Sequence, residues 1–269
     1  MADNYLDSEK NGNICTVTLS RPEKRNAITV EMLTGLCDMV EHQVSDPDVR
    51  AIILKGAGKV FSAGVDLNSL GAEVGVCLAE AGAGAAGLRA LIYRFQQYLN
   101  RLEAAEMPII CAMHGRALGL AVELALACDI RLMSADCIWS MPELKMGVIA
   151  DVGGTSRLSR LLGPSRAMEI LMTGKDYNAQ QALDWGLINY YHSAENLIGE
   201  AEKMAQDIAL TAPLAVGAVK KIIKRGDGVD LMTQQDMEAN HNSILLRTED
   251  FQEGITAMME KRPAKWKKR

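Results

Sequence analysis

The chain has 269 residues, 48% hydrophobic and 23% charged, enough apolar mass for a sizeable core and a composition that argues against disorder. A formal net charge of -5 argues against attraction of the whole protein to nucleic acid or an anionic membrane. No apolar run approaches the roughly 18 residues of a bilayer span, and the six cysteines form neither a CxxC pair nor a Cys/His cluster, so they read as reduced core residues of a cytoplasmic protein.

The first residues, Met1-Ala2-Asp3-Asn4-Tyr5, lack the order of a signal peptide and the Arg/Ser bias of a transit peptide, and the mature chain is expected to start near Met1. Residues 14–19 alternate apolar and polar as a half-buried strand does, and 51–56 form a short apolar run ended by glycine, as a buried strand does. Between them, 30–44 carry helical spacing (Met32, Leu33, Leu36, Met39, Val40) after a Thr29 cap. A second unit follows: a long helix from about 87 to 105, a strand over 108–113 and a helix over 120–127. Short strands are predicted at 130–133 and 137–140.

This alternation predicts an α/β architecture with mainly parallel pairing. Helices dominate after about residue 155, over 165–172, 179–185, 194–209 and 215–224, which suits packing on the sheet or on a neighbouring subunit. The basic tail, Lys265-Trp266-Lys267-Lys268-Arg269, is expected to be a solvated terminus.

Several standard sites are excluded. Gly82-Ala83-Gly84-Ala85-Ala86-Gly87 matches the GxGxxG string, but no strand delivers its first glycine, so a loop accounts for it better than a dinucleotide site. There is no GxSxG elbow, no P-loop and no HExxH, and the four histidines are scattered. His114, ahead of Gly115, suits a structural hydrogen bond.

Two glycine-containing turns are more productive. Phe61-Ser62-Ala63-Gly64-Val65-Asp66-Leu67 follows a strand, and Gly115-Arg116-Ala117-Leu118-Gly119 leads into a helix whose first N–H groups have no internal partner. Donors from two such turns converging on one oxygen would make an oxyanion hole; the alternative for each is a tight structural turn. Carboxylates stand nearby. Glu123 lies in an otherwise apolar helix, where a lone acid is costly unless paired or functional, and Glu143 and Asp151 follow. In one pocket, repulsion and desolvation would raise at least one pKa toward the range useful for proton transfer; separately, Glu143 and Asp151 read equally well as cap or loop acids.

These segments, with Arg21-Pro22-Glu23-Lys24-Arg25-Asn26-Ala27, His114-Gly115 through Asp129, Pro142-Glu143 to Gly153-Gly154-Thr155, Leu171-Met172-Thr173-Gly174 and Ala182-Leu183-Asp184-Trp185-Gly186-Leu187, resemble in order and spacing the crotonase (enoyl-CoA hydratase/isomerase) superfamily. The resemblance covers nearly the whole chain. It implies a spiral of β-β-α units over residues 1–205 holding an acyl-CoA site, and a helical region, 206–269, for assembly as a trimer or hexamer. It implies oxyanion donors at the N–H groups of Val65 and Leu120, although many members have glycine where Leu120 stands. Lys24, Arg25, Asn26, Ala27, Ala63, Gly64 and Asp66 would line the coenzyme A side. Coenzyme A would then be part of the substrate, with no separate cofactor, no metal, and no nucleic-acid or membrane partner.

By the same resemblance the catalytic residues are Glu123, Glu143 and Asp151. Glu123 and Glu143 fall on the two glutamates of the hydratases. Asp151 falls where hydratases usually have glycine and Δ3,5-Δ2,4-dienoyl-CoA isomerases carry an aspartate, and the stretch from Leu70 through Ile92-Tyr93-Arg94-Phe95-Gln96 to Asn100 is similar to the isomerases too. Those isomerases commonly have aspartate at the Glu123 position, a departure here. Moving two double bonds takes a proton from C2 and delivers one at C6, which needs two separated groups, whereas hydration needs two carboxylates sharing one water. The sequence thus points to a dienoyl-CoA isomerase of fatty-acid β-oxidation, with an enoyl-CoA hydratase as the alternative and a non-catalytic acyl-CoA-binding or scaffolding protein as the alternative from another class.

Overall fold

Parallel pairing organises the larger sheet. The computed structural model describes residues 5–80 and 85–269; Met1 to Asn4 and the first half of the glycine string, Gly82-Ala83-Gly84, lie outside the described residues. β1 (Leu6–Asn11) and β2 (Ile14–Leu19) form an antiparallel pair at one edge. β1 has no sequence signature because only Leu6 of its six residues is buried. The chain then passes through α1 (Val30–Ser45), β3 (Ala51–Gly56), α2 (Leu67–Glu80) and α3 (Ala85–Ala104) to β4 (Ile109–Met113). Next come β5 (Arg116–Leu118), α4 (Leu120–Ala127), β6 (Ile130–Ser134) and β7 (Ile138–Ser140). Beyond them lie α5 (Gly154–Leu162), α6 (Pro164–Thr173), β8 (Tyr177–Asn178), α7 (Ala179–Asp184) and β9 (Tyr190–His192), followed by α8 (Leu197–Ala209), α9 (Pro213–Gly226), α10 (Leu231–Leu245) and α11 (Glu249–Glu260).

The six-stranded sheet runs β1-β2-β3-β4-β6-β9, parallel from β2 onward, and a three-stranded sheet runs β5-β7-β8. Each turn of chain gives a strand to the large sheet, a short strand to the small one and then a helix: β4, β5 and α4 form one such turn. The turn before it is less regular, because β3 is followed only by an isolated bridge, Ser62 to Ala117, ahead of α2. This is the expected spiral of β-β-α units.

The central strands of the large sheet, β2, β3, β4 and β6, are buried on both faces, the reason they read as apolar runs. Alternate residues such as Val17, Ile52, Leu54, Cys111 and Met133 face α1, α3 and α4. Their neighbours Ile53, Ile110, Ala112 and Leu132 face α8 through Leu197, Ala201 and Ala205. α1 starts where expected, with Thr29 Oγ1 accepting from Met32 N–H at 3.3 Å. All eight residues of α4 are buried.

One expectation, that of a solvated tail, changes at the C-terminal side. α8 runs across 205/206 to Ala209, and Ile208 beyond that point still packs against the cluster that α8 forms with the sheet. α9 is tied to the same body by buried Lys220, whose Nζ meets Asp129 Oδ2 at 2.8 Å and the carbonyl oxygen of Met107 at 2.9 Å. The basic tail is docked rather than free. Trp266 Nε1 donates to Leu210 O at 2.8 Å, Lys267 N–H to the carboxylate of buried Asp250 at 2.7 Å, and Lys268 Nζ to Val44 O at the end of α1 at 2.6 Å. Among the described residues no helix is long and apolar enough to cross a membrane.

Candidate active site

The two glycine turns pack against one another. Ser62 N–H donates to Arg116 O at 3.1 Å and Leu118 N–H to Ser62 O at 3.2 Å, so the first turn is bonded to β5. Gly64 takes φ +90°, and a Cβ there would stand 2.5 Å from Leu118 O and 3.6 Å from Leu120 N. Gly119 takes φ +52° at the start of α4, where a Cβ would stand 2.5 Å from Glu143 Oε1. Both positions therefore require glycine, for the backbone angle and for the space. Asp66 N–H is bonded to Ile28 O and Gly119 N–H to Ser140 O, whereas the N–H groups of Val65 and Leu120 have no acceptor among the described residues. Both residues line one cavity. Two free N–H groups from turns in contact are the geometry that stabilises charge on a carbonyl oxygen.

That cavity has a volume of about 440 Å³ and joins the turns to the three acids. Leu67, Leu70 and Val74 of α2, Leu88, Leu91, Ile92 and Phe95 of α3, and Met146, Val148 and Ile149 after the third turn of chain form its apolar wall. Among the described residues, the acidic side chains lining it are Glu123, Glu143 and Asp151. The sequence reading did not name this wall, although positions 88, 91, 92 and 95 keep the spacing of one helix face.

Glu123 is 2% exposed. Its Oε1 accepts from Gly154 N–H at 2.7 Å and Val152 N–H at 3.0 Å, which answers how an acid survives inside α4. Burial nevertheless pushes its pKa up to about 8; the Gly154 and Val152 N–H groups oppose this, and the charges of Glu143 and Asp151 add to it. Glu143 opens a 3-10 turn, Glu143–Met146, and is buried, with Oε2 lacking any hydrogen-bond partner among the described residues. Burial raises its pKa and the charge of Asp151 raises it further. Asp151 is half-buried and its pKa is raised by desolvation. Three carboxyls in one apolar cavity, all biased toward the protonated form, can hold and pass protons.

The residues expected on the coenzyme A side divide. Lys24 and Arg25 are exposed, and Arg25 O accepts from Ala63 N–H at 2.9 Å, which sets the two cations beside the Ala63-Gly64 edge of the cavity. Asn26 is fully buried: its Nδ2 donates to Ala57 O at 2.8 Å and Val60 O at 2.9 Å, and its Oδ1 accepts from Arg21 N–H at 2.9 Å. The Asn26 side chain therefore shapes this edge from within, through its bonds to the backbone. Asp66 is engaged with Arg21 at 2.5 Å and caps α2 by accepting from Ser69 N–H at 3.0 Å; the Ser69 N–H and then Arg21 hold its carboxyl below the usual range. His114 Nε2 meets Gly58 O at 3.1 Å, the structural bond expected of it.

The enoyl-CoA hydratase/isomerase family matches residues 9–269. A short-chain-enoyl-CoA hydratase of Clostridium acetobutylicum is 34% identical, the alignment covering 96% of each chain. A peroxisomal Δ(3,5)-Δ(2,4)-dienoyl-CoA isomerase of Arabidopsis thaliana is 32% identical, over 93% of this chain and 91% of the relative. The solved structure of an enoyl-CoA hydratase from Bacillus anthracis superposes with a TM-score of 0.88 at 30% identity, over 98% of this chain and 100% of that one. The chain belongs to the enoyl-CoA hydratase/isomerase family of the crotonase superfamily. It is an enzyme of acyl-CoA hydratase/isomerase type.

Proposed function

We propose that this enzyme converts 3,5-dienoyl-CoA to 2,4-dienoyl-CoA. The observation that carries this is Asp151, a third carboxyl on the apolar cavity for which simple hydration has no task. The thioester oxygen lies between the N–H groups of Val65 and Leu120. C2 is then next to that oxygen, and Glu143, packed over Gly119, is the carboxylate beside it. Glu143 removes the C2 proton, the electron pair delocalises through the diene onto the thioester oxygen, and protonated Asp151 delivers a proton at C6. Glu143 ends protonated and Asp151 ionised, and proton exchange restores both. Glu123 feels the charge of both acids and tunes them. With its pKa near 8 it is largely protonated at neutral pH, which leaves it a poor base for activating water. Lys24 and Arg25 suit the phosphates of coenzyme A at the mouth.

Incubation with 3,5-octadienoyl-CoA, followed by the absorbance of the conjugated 2,4-dienoyl product, tests this. No product alongside brisk hydration of crotonyl-CoA refutes it. A hydratase is the second reading, favoured by glutamate at position 123 and by the hydratases among the relatives. On that reading Asp151→Asn leaves hydration largely intact while Glu143→Gln abolishes it; isomerisation requires both residues.

We place the enzyme in the cytoplasm on its six unpaired cysteines, and its task in β-oxidation. Assembly as a trimer or hexamer is proposed through the C-terminal helices, where Leu231, Met232, Ile244, Met258 and Met259 are exposed; light scattering gives the mass.

A further inference from the structure

The loop bearing Asp151 is gripped from behind. Gln96 follows Phe95 on α3, so while Phe95 lines the cavity, Gln96 reaches the loop and its Nε2 donates to Asp151 O at 2.7 Å. Only the NH₂ end of an amide can meet a carbonyl oxygen, which fixes its orientation. The same peptide group carries the Val152 N–H that donates to Glu123 Oε1 at 3.0 Å. One chain of hydrogen bonds thus runs from Gln96 through the Asp151–Val152 peptide to Glu123. A donor on the carbonyl polarises the peptide and strengthens its N–H as a donor.

Farther along α3, Asn100 Oδ1 and Glu103 Oε2 accept from Arg157 Nη2 at 2.7 and 2.9 Å, and Arg157 Nη1 reaches Val152 O at 3.2 Å. The face of α3 bearing Gln96, Asn100 and Glu103 therefore holds the loop, while the face bearing Leu88, Leu91, Ile92 and Phe95 walls the acyl cavity. Gln96 also borders a polar cleft of about 690 Å³ behind the loop.

We infer that Gln96 is a positioning residue, setting Glu123 and Asp151 through the peptide between Asp151 and Val152. This rests on the reading that the cavity's carboxyls carry the reaction, whether isomerisation or hydration. The charged groups around the loop are Glu123 from α4, Glu143 from the 3-10 turn, Asp151 itself, and Arg157 with Glu103 and Lys224 behind it. Of these, Gln96 bonds only the Asp151 backbone, so its removal leaves their charges in place.

Gln96→Met is the suitable variant. Methionine keeps length and helix propensity, supplies no donor, and fills space that a water from the polar cleft would otherwise enter. Expected is a fall in kcat of about tenfold, the equivalent of one hydrogen bond, with KM changed less than about twofold. Weakening the donor on ionised Glu123 also raises the pKa of that carboxyl by up to about one unit, which carbon-13 NMR titration of Glu123 reads directly. Unchanged affinity for butyryl-CoA, an unreactive thioester, shows that the variant is folded. Unchanged kcat with an unchanged Glu123 titration, or a loss confined to KM or Tm, overturns the inference. If the wild type turns over neither a dienoyl nor an enoyl thioester, the proposed function fails by itself. Carbon-13 NMR titration of the Glu123 carboxyl in both proteins then decides the inference: a raised value in Gln96→Met supports it and an identical one overturns it.

Discussion

Two opposed effects act on Glu123, and its replacement by glutamine separates them. Two backbone N–H donors favour the carboxylate, while burial in an apolar helix favours the neutral acid. Burial prevails here and carries the pKa from 4.5 to about 8, which corresponds to on the order of 5 kcal/mol of native-state preference for the protonated form. Between those values the folded protein holds a proton that the unfolded chain has released, so stability falls as pH rises through the window and levels off above about 8. Glu123→Gln has no such proton to lose. Its Oε1 can still accept from Val152 and Gly154, so any fixed cost of the amide is independent of pH. Thermal unfolding of both proteins at one concentration, from pH 4.5 to 9, should show the variant gaining on the wild type across the window. The full gain corresponds to a relative Tm increase of about 10–20 °C, taking roughly 2–4 °C per kcal/mol for a chain of this size. Glu143 and Asp151 titrate in both proteins and largely cancel in the comparison. A Tm difference that does not change with pH would mean that Glu123 is ionised throughout, that the N–H donors outweigh burial, and that its capacity as a base has been underestimated.

Gly119→Ala places a Cβ at 2.5 Å from Glu143 Oε1 on a backbone at φ +52°; displacing that carboxylate should lower kcat by about a hundredfold, and near-normal steady-state turnover would refute the placement of Glu143. Deleting residues 265–269 strips the two tail N–H donors from buried Asp250 and the Lys268 bond to the end of α1. That should cost about 2 kcal/mol, or about 4–8 °C in Tm, with kcat unchanged, and an unaltered melting curve would show that the docked tail contributes nothing.

The parts of the fold that follow from periodicity were legible in the sequence. Strands buried on both faces read as apolar runs, α1 announced itself through Thr29 and its 3.6-residue spacing, and the strand-helix alternation gave the parallel sheet. The missed elements lack those signals. β1 buries one residue, and α10 has no buried residue at all, so neither presents a pattern to read. α2, with Gly71 and Gly75 inside it, looks like loop until Leu70 and Val74 are seen on the cavity wall. The tail was misread because its lysines looked like solvated charges, whereas two of its anchors are backbone N–H groups, which no side-chain pattern displays.

The site divides along the same line. Glu123 was legible because an acid in an apolar helix demands a partner, and Gly64 and Gly119 because turns that expose N–H groups favour glycine. Gln96 was not, since a glutamine on an amphipathic helix reads as surface. Its meaning comes from a carbonyl 55 residues away, brought within 2.7 Å by the packing of α3 on the Asp151 loop. The same packing bears on which reaction the three acids perform. Glu123 is fastened by the peptides that carry Asp151, so any shift that sharpens one of these acids also moves the other. A site dependent on a water shared between Glu123 and Glu143 would gain little from that linkage. A site that moves protons at both ends of a diene gains from it directly, because the Asp151 loop must keep its distance from Glu143 constant while the substrate's charge passes between them.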